Sequence, residues 1–185
     1  MRQGINKQTV LETAGQIADT EGFHNVTLAS VAKALNIKTP SLYNHVKGLP
    51  GLKKDFACYS IRKLKEAMSE AAIGRTSEEA LYAIGQAYVG FVRQHPGLYE
   101  ATLAAPDPLD EEVRTAGNEI VTLLLRVLEP YKLEEKVALH TVRGLRSIVH
   151  GFASLELKQG FNMDLDTDET LKHLLETYLA GLKQS

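Results

Sequence analysis

From one end of the chain to the other, apolar residues recur at three- and four-residue spacing. Nowhere does a period-two alternation bounded by turn residues appear. The spacing is interrupted by helix breakers at intervals too short for one long rod, so the chain must fold as many helices packed on one another. Val10, Leu11, Ala14, Ile17 and Ala18 lie on one face of a helix over about residues 6–21, and Gly22 stops it. Thr27 is placed to cap a short helix whose inward set is Leu28, Val31, Ala32 and Leu35. Asn36, tolerant of a left-handed backbone, ends that helix. Thr39-Pro40-Ser41 starts a third, with Thr39 expected as the cap and Pro40 at the first helical position. A long helix is predicted from about Pro50 to Ala72, then one from the Thr76/Glu79 capping box to about Gln94, closed by Pro96. A short helix through Leu98 and Leu103 follows. Asp107-Pro108 is expected to open a helix that ends by Pro130, and its apolar run Ile120–Leu128 is expected at the centre of a bundle. Two further helices, from Leu133 to about Gln159 and from Thr167 to about Lys183, complete an all-α protein of about nine helices.

Composition narrows the function. At 185 residues the chain is long enough for a hydrophobic core without staples. A single cysteine, Cys58, excludes a disulfide framework or a multi-cysteine zinc site and fits a reducing compartment. No apolar run reaches the roughly 18 residues that cross a bilayer, and Met1–Lys7 lacks the apolar stretch of a secretory signal. A cytoplasmic protein is expected. The net charge of −2 conceals an imbalance: the first 65 residues hold ten basic groups against four acidic ones. A basic end on an acidic body suits a polyanion-binding module on a carrier, and it also suits a simple solvated basic face.

The segment Val26–Lys47 gives the basic end a shape. Two short helices joined by a tight turn form a helix-turn-helix when the second buries one side and presents the other. Leu42 and Val46 point inward, leaving Lys38, Ser41, Asn44 and His45 free. Asn44 is suited to two-point contact with adenine and Lys38 to donation to guanine. Tyr43 and Lys47 are placed to touch phosphate, together with the helix N-termini at Thr27 and Thr39. Spacing alone equally allows a three-helix packing corner with a wet polar side.

The residues themselves resemble the helix-turn-helix of tetracycline-repressor-like (TetR) transcriptional regulators. The resemblance rests on a threonine-led second helix, a short turn, and Thr39-Pro40-Ser41-Leu42-Tyr43-Asn44-His45-Val46-Lys47. It implies a DNA-binding domain over residues 1–48, and a helical domain over 49–185 that dimerises and holds a small-molecule inducer. Val149-His150-Gly151-Phe152 with Leu155-Glu156 is similar to the Trp-His-Gly element of one TetR subgroup, with valine for tryptophan. One departure stands out. Where the family usually has a second lysine opening its fourth helix this chain has Leu49, and Lys53 or Lys54 is the available substitute.

For dimerisation, Gly144, Ser147, Gly151 and Ser154 form a stripe of small residues that invites close approach of another helix, from the same chain or a second copy. Leu171, Leu175 and Tyr178 on the last helix are the expected neighbours in a two-fold interface. Tyr82, Tyr88, Phe91, Tyr99, His140 and Phe152 are candidates to line a pocket for a hydrophobic effector, or are plain core. Asp164, Asp166 and Asp168 alternate as in a calcium loop, yet Glu169 and Leu175 stand where a glycine and a closing glutamate are required. Asp166 with Glu169 reads instead as an acidic helix cap. His140 and His150 are too far apart along one helix to share a metal. No phosphate-binding glycine loop, nucleophile elbow or zinc-protease motif is present. The expectation is a non-enzymatic, homodimeric repressor without cofactor or metal, binding a palindromic double-stranded operator and released by a ligand. The rival is a helical ligand-binding or scaffolding protein with a basic partner-binding end.

Overall fold

A computed structural model describes residues 5–182; Arg2 and Lys183, which entered the charge count and the last helix boundary, lie outside them. Among the described residues there are nine α-helices and no strand. In chain order they are α1 Lys7–Glu21, α2 Leu28–Ala34, α3 Thr39–Leu42, α4 Gly48–Ala72, α5 Ser77–Gln94, α6 Pro96–Leu103, α7 Glu111–Leu128, α8 Glu135–Leu157 and α9 Thr167–Leu182. Single 3-10 turns stand at Phe23–Asn25 and Glu129–Tyr131. None of the described helices is long and apolar enough to cross a membrane.

The local stop and start signals act as their chemistry dictates. Asn6 caps α1 by accepting from the Thr9 N–H, and Gly22 ends it at φ 94°, a backbone state that favours glycine. Thr27 caps α2 through a reciprocal box in which its side chain accepts from the Ser30 N–H and the Ser30 hydroxyl accepts from the Thr27 N–H. Asn36 turns the chain at φ 54°. Asp166 accepts from the Asp168 and Glu169 N–H groups at the head of α9.

The starts of α3 and α7 are capped differently from expectation, and α4 and α8 begin two residues away from theirs, at Gly48 and Glu135. Lys38, extended and without a side-chain cap bond, precedes α3, so Thr39 is the first helical residue and Pro40 the second. Proline's fixed φ suits either of the first two positions, so the pattern does not choose between them. Helix α7 starts at Glu111 rather than Asp107. Asp107 accepts from the Leu109 N–H and Asp110 from the Glu112 N–H, so these side chains hold two successive turns ahead of the helix.

The helices form two compact units. One contains the chain up to Lys63 together with His95–Gly117; the other contains Leu64–Gln94 and the chain from Asn118 onward. In the first, Val10, Ala14, Phe23, Val31, Leu42, Val46, Leu52 and Phe56 are buried. Here α1 lies against α2 and α6, and Gly97 is glycine because an added Cβ would strike the backbone of Ala18. In the second, α5, α8 and α9 pack together around Leu81, Ile84, Val89, Leu145, Phe152, Leu171, Leu175 and Leu179. The apolar run in α7 is not centred as expected. Leu124 and Leu128 are buried, while Ile120, Val121, Leu123, Leu125 and Val127 are half-buried, so only one stripe of the helix is enclosed.

Candidate nucleic-acid interface

Helix α3 is one turn long, and its hydrogen bonding tightens as it ends. Tyr43, Asn44 and His45 donate to Pro40, Ser41 and Leu42 three residues back, and Val46 returns to the Leu42 carbonyl. This keeps residues 39–46 on a common helical path. Leu42 is 0% exposed and Val46 3%, so one side of that path is sealed into the core. The other side is open: Lys38, Pro40, Ser41, Tyr43, Asn44 and Lys47 are exposed, Tyr43 at 61%. Thr27, Thr39 and His45 are half-buried. A large aromatic ring standing in solvent has no folding rationale of its own. Beside an amide, a hydroxyl and two lysines it makes a surface with donors and acceptors for base edges and cations for phosphates. The Thr27 hydroxyl is already engaged in its box with Ser30, so its polar work is first of all to fix α2.

The lysines near Leu49 are committed elsewhere. Lys54 bridges Glu112 at 2.9 Å and Asp110 at 3.5 Å, and the Glu112 carboxylate raises its ammonium above the ordinary range. Lys53 lies over the Phe23 ring, 5.9 Å from its centroid. Lys7 pairs with Asp55. Lys47 and Lys38 are exposed beside the recognition turn.

The other candidate residues are distributed differently. Tyr82 lines an open cleft of about 620 Å³ with Glu78, Glu79, Glu169, Lys172, Glu176 and Leu179, so four carboxylates stand around one ammonium there. Tyr88, Phe91 and Phe152 are buried in one unit and Tyr99 in the other, and the Phe152 ring lies 5.0 Å from that of Phe161. His140 is exposed. Four residues expected at an interface between copies make contacts within their own chain. Leu171 and Leu175 are 3% and 0% exposed, Leu175 resting on Gly85. Gly144 is small because Tyr178 of the same chain crosses it, the Tyr178 hydroxyl donating to the Thr141 carbonyl. Ser147 is exposed, Gly151 has nothing within 4 Å of an added Cβ, and Ser154 is half-buried. Cys58 is buried, and burial pushes its thiol up, away from the reactive thiolate. Among the described residues no group of three or more His, Cys, Asp or Glu is placed to hold a metal.

Fold and surface together define a helix-turn-helix protein with a helical body, and the comparisons with known proteins agree. Residues 81–178 match the Tetracyclin repressor-like, C-terminal domain family. The HTH-type transcriptional regulator YobS of Bacillus subtilis (strain 168) is 36% identical over 182 residues, covering 98% of this chain and 94% of that one. The HTH-type transcriptional regulator Rv0681 of Mycobacterium tuberculosis (strain ATCC 25618 / H37Rv) is 28% identical over 181 residues, covering 97% and 83%. The transcriptional regulator SCO7222, a TetR from Streptomyces coelicolor, superposes with a TM-score of 0.80 at 14% identity over 97% of this chain and 98% of its own. The chain belongs to the TetR family of transcriptional regulators. It is a DNA-binding regulator and not an enzyme.

Proposed function

We propose that the protein is a cytoplasmic homodimeric repressor that reads a palindromic operator through the α3 turn and leaves it when a small ligand binds the helical body. The observation that carries this reading is the two-sided segment 39–47, sealed at Leu42 and Val46 and open at Ser41, Tyr43, Asn44 and Lys47. In the proposed roles Asn44 and Lys38 address bases; Ser41 and His45 lie within reach of the groove. Tyr43, Lys47, Thr27, Thr39 and the Pro40 turn hold the phosphate backbone. In this reading residues 1–48 read the DNA and residues 49–185 dimerise and hold the ligand.

The proposed dimer uses the outward faces of α8 and α9, where Ser147, Gly151, Leu155 and Leu174 remain uncovered by their own chain. To meet successive major grooves, the two α3 turns of such a dimer must stand about 34 Å apart. Ligand release acts by population shift, limited by the ligand's differential affinity for the two spacings. The Val149–Phe152 element supports placement in the Trp-His-Gly subgroup. The test is selection of bound sites from random DNA, followed by footprinting. A palindromic footprint with steep salt dependence is expected. Salt-insensitive or sequence-blind binding would overturn the operator-reading role, and a monomer by light scattering at micromolar concentration would overturn the dimer.

A further inference from the structure

Between Val46 and Leu52 the chain leaves the recognition turn and enters α4. Val46 is 3% exposed and Leu52 0%, so both ends of this link are seated in the core of their unit. The residues between them, Lys47-Gly48-Leu49-Pro50-Gly51, carry a single charge, on Lys47, and none of them is buried. Gly48 stands at φ 67°, and Pro50 has no N–H to offer. The Gly51 N–H donates to the Lys47 carbonyl at 3.2 Å, which holds Lys47 against the first turn of α4. A Cβ added at Gly51 would stand 2.9 Å from the Lys47 Cβ and 3.9 Å from the Val46 carbonyl carbon. Carbons pack at about 3.5–4.0 Å, so the first of these distances is an overlap. Helix propensity would favour alanine at this place. Glycine stands there because the root of the Lys47 side chain occupies the space a methyl would need.

We infer that Gly51 is a positioning residue for DNA binding: it lets the Lys47 stem root against the first turn of α4 and so sets where the Lys47 ammonium meets the phosphate backbone. With Leu49 in place of a second cation, no other charge in the link shares that task. The displacement caused by a methyl at position 51 cannot be passed to Val46 or Leu52, because both are locked in the core. It falls on Lys47, whose neighbour Gly48 has the least restricted backbone in the link. A tilt imposed at Cβ is carried along the four-carbon stem, so the Nζ moves further than the Cβ does. Regaining the phosphate then forces the stem out of its favoured rotamer. Gly51 itself is assigned no contact with DNA. The inference rests on the operator reading for the role of Lys47, and on the packing of Gly51 against Lys47 for its mechanism.

Two measurements on the full chain test it, one without DNA and one with it. In urea, Gly51→Ala should lower the unfolding midpoint while lysine stands at 47. It should raise the midpoint in a Lys47→Gly chain, where the opposing Cβ is gone and the helix propensity of alanine acts alone. Equal shifts in the two backgrounds overturn the packing. If Gly51→Ala does not fold by itself, the double variant with Lys47→Gly should fold, and its failure to do so overturns the packing as well. On a palindromic fragment recovered from random DNA, Gly51→Ala should weaken binding at least about fivefold, the low-end cost of an off-rotamer side chain in each of two copies. In a Lys47→Ala chain the same substitution should change affinity by less than about twofold, since the cation it would misplace is gone. Base preference should stay that of the wild type. An equal loss with and without the ammonium, or an altered base preference, overturns the positioning role. A chain that selects no sequence from random DNA while the urea pattern holds sinks the operator reading, and with it the role given to Lys47, but leaves the packing standing.

Discussion

Replacing Lys47 and Lys54 separately decides which lysine near the start of α4 grips the DNA backbone. Lys47 is exposed beside the recognition turn, whereas Lys54 is bridged to Glu112 and Asp110. Each phosphate neutralised by a protein cation steepens the fall of log affinity with log salt by about 0.9. A dimer presents two copies of Lys47, so Lys47→Ala should flatten that slope by about 1.8. Between 50 and 200 mM salt, the wild type should therefore lose about twelvefold more affinity than the variant. Lys54→Ala removes a cation already neutralised within the fold, so its slope should stay within about 0.3 of wild type even if affinity drops through a loosened contact between α4 and the start of α7. The assay is fluorescence anisotropy of a selected operator fragment at four or more salt concentrations. Equal flattening by both substitutions would show that Lys54 leaves its carboxylates to fill the role vacant at Leu49, and the static reading of that bridge would fail.

Asn44→Ala should change the base preference recovered from random DNA, whereas Tyr43→Phe should weaken binding to all sequences alike; identical selection profiles for wild type and Asn44→Ala would refute the base-reading role. Gly144→Ala gains about 1 kcal/mol of helix propensity but overpacks against the Tyr178 hydroxyl, typically at about 1–3 kcal/mol. It should destabilise the fold in urea, and Tyr178→Phe in the same chain should recover part of the loss, since the ring carbon behind the hydroxyl still crowds the new methyl; a stable but monomeric Gly144→Ala would return that glycine to the interface between copies. The Arg93 bonds hold the Glu156 carboxyl below its ordinary value of 4.5, so its contribution to stability is complete above that pH and drains away as pH falls below it. Urea midpoints taken from pH 6 down to pH 3 should therefore fall less steeply for Glu156→Gln than for wild type.

The helix-turn-helix was legible because its determinants are local. Gly22, Thr27 and Asn36 act on backbone within a few residues of themselves, and Leu42 and Val46 declare their inward face by spacing alone. The family resemblance then supplied what spacing left open, the choice between a DNA-reading flank and a packing corner. Where two local signals compete, the reading slips. Asp107 and Asp110 have the chemistry of helix caps, but each holds a turn of its own, and α7 waits until Glu111.

The body of the protein was legible in kind and not in partner, and the mid-helix glycines show why. A glycine at position 85, 97 or 144 announces that something comes close, since otherwise alanine would be better there. It carries no record of what comes close: a leucine from α9, the backbone of α1, or a tyrosine from α9. At Gly144 the small-residue stripe has the same appearance whether Tyr178 of its own chain or a second copy lies across it. Only tertiary placement separates the cases, and within the folded chain Leu171 and Leu175 are buried. The same limit hid the ionic anchors. Asp19 and His95 are 76 residues apart and Arg93 and Glu156 are 63 apart. Read singly, His95 beside a proline is a helix end and Arg93 an ordinary cation in a last turn. Their partners become visible only in the fold, where α1 brings Asp19 to His95 and α8 brings Glu156 to Arg93, so ion pairs between distant segments are what one-dimensional patterns are least able to carry.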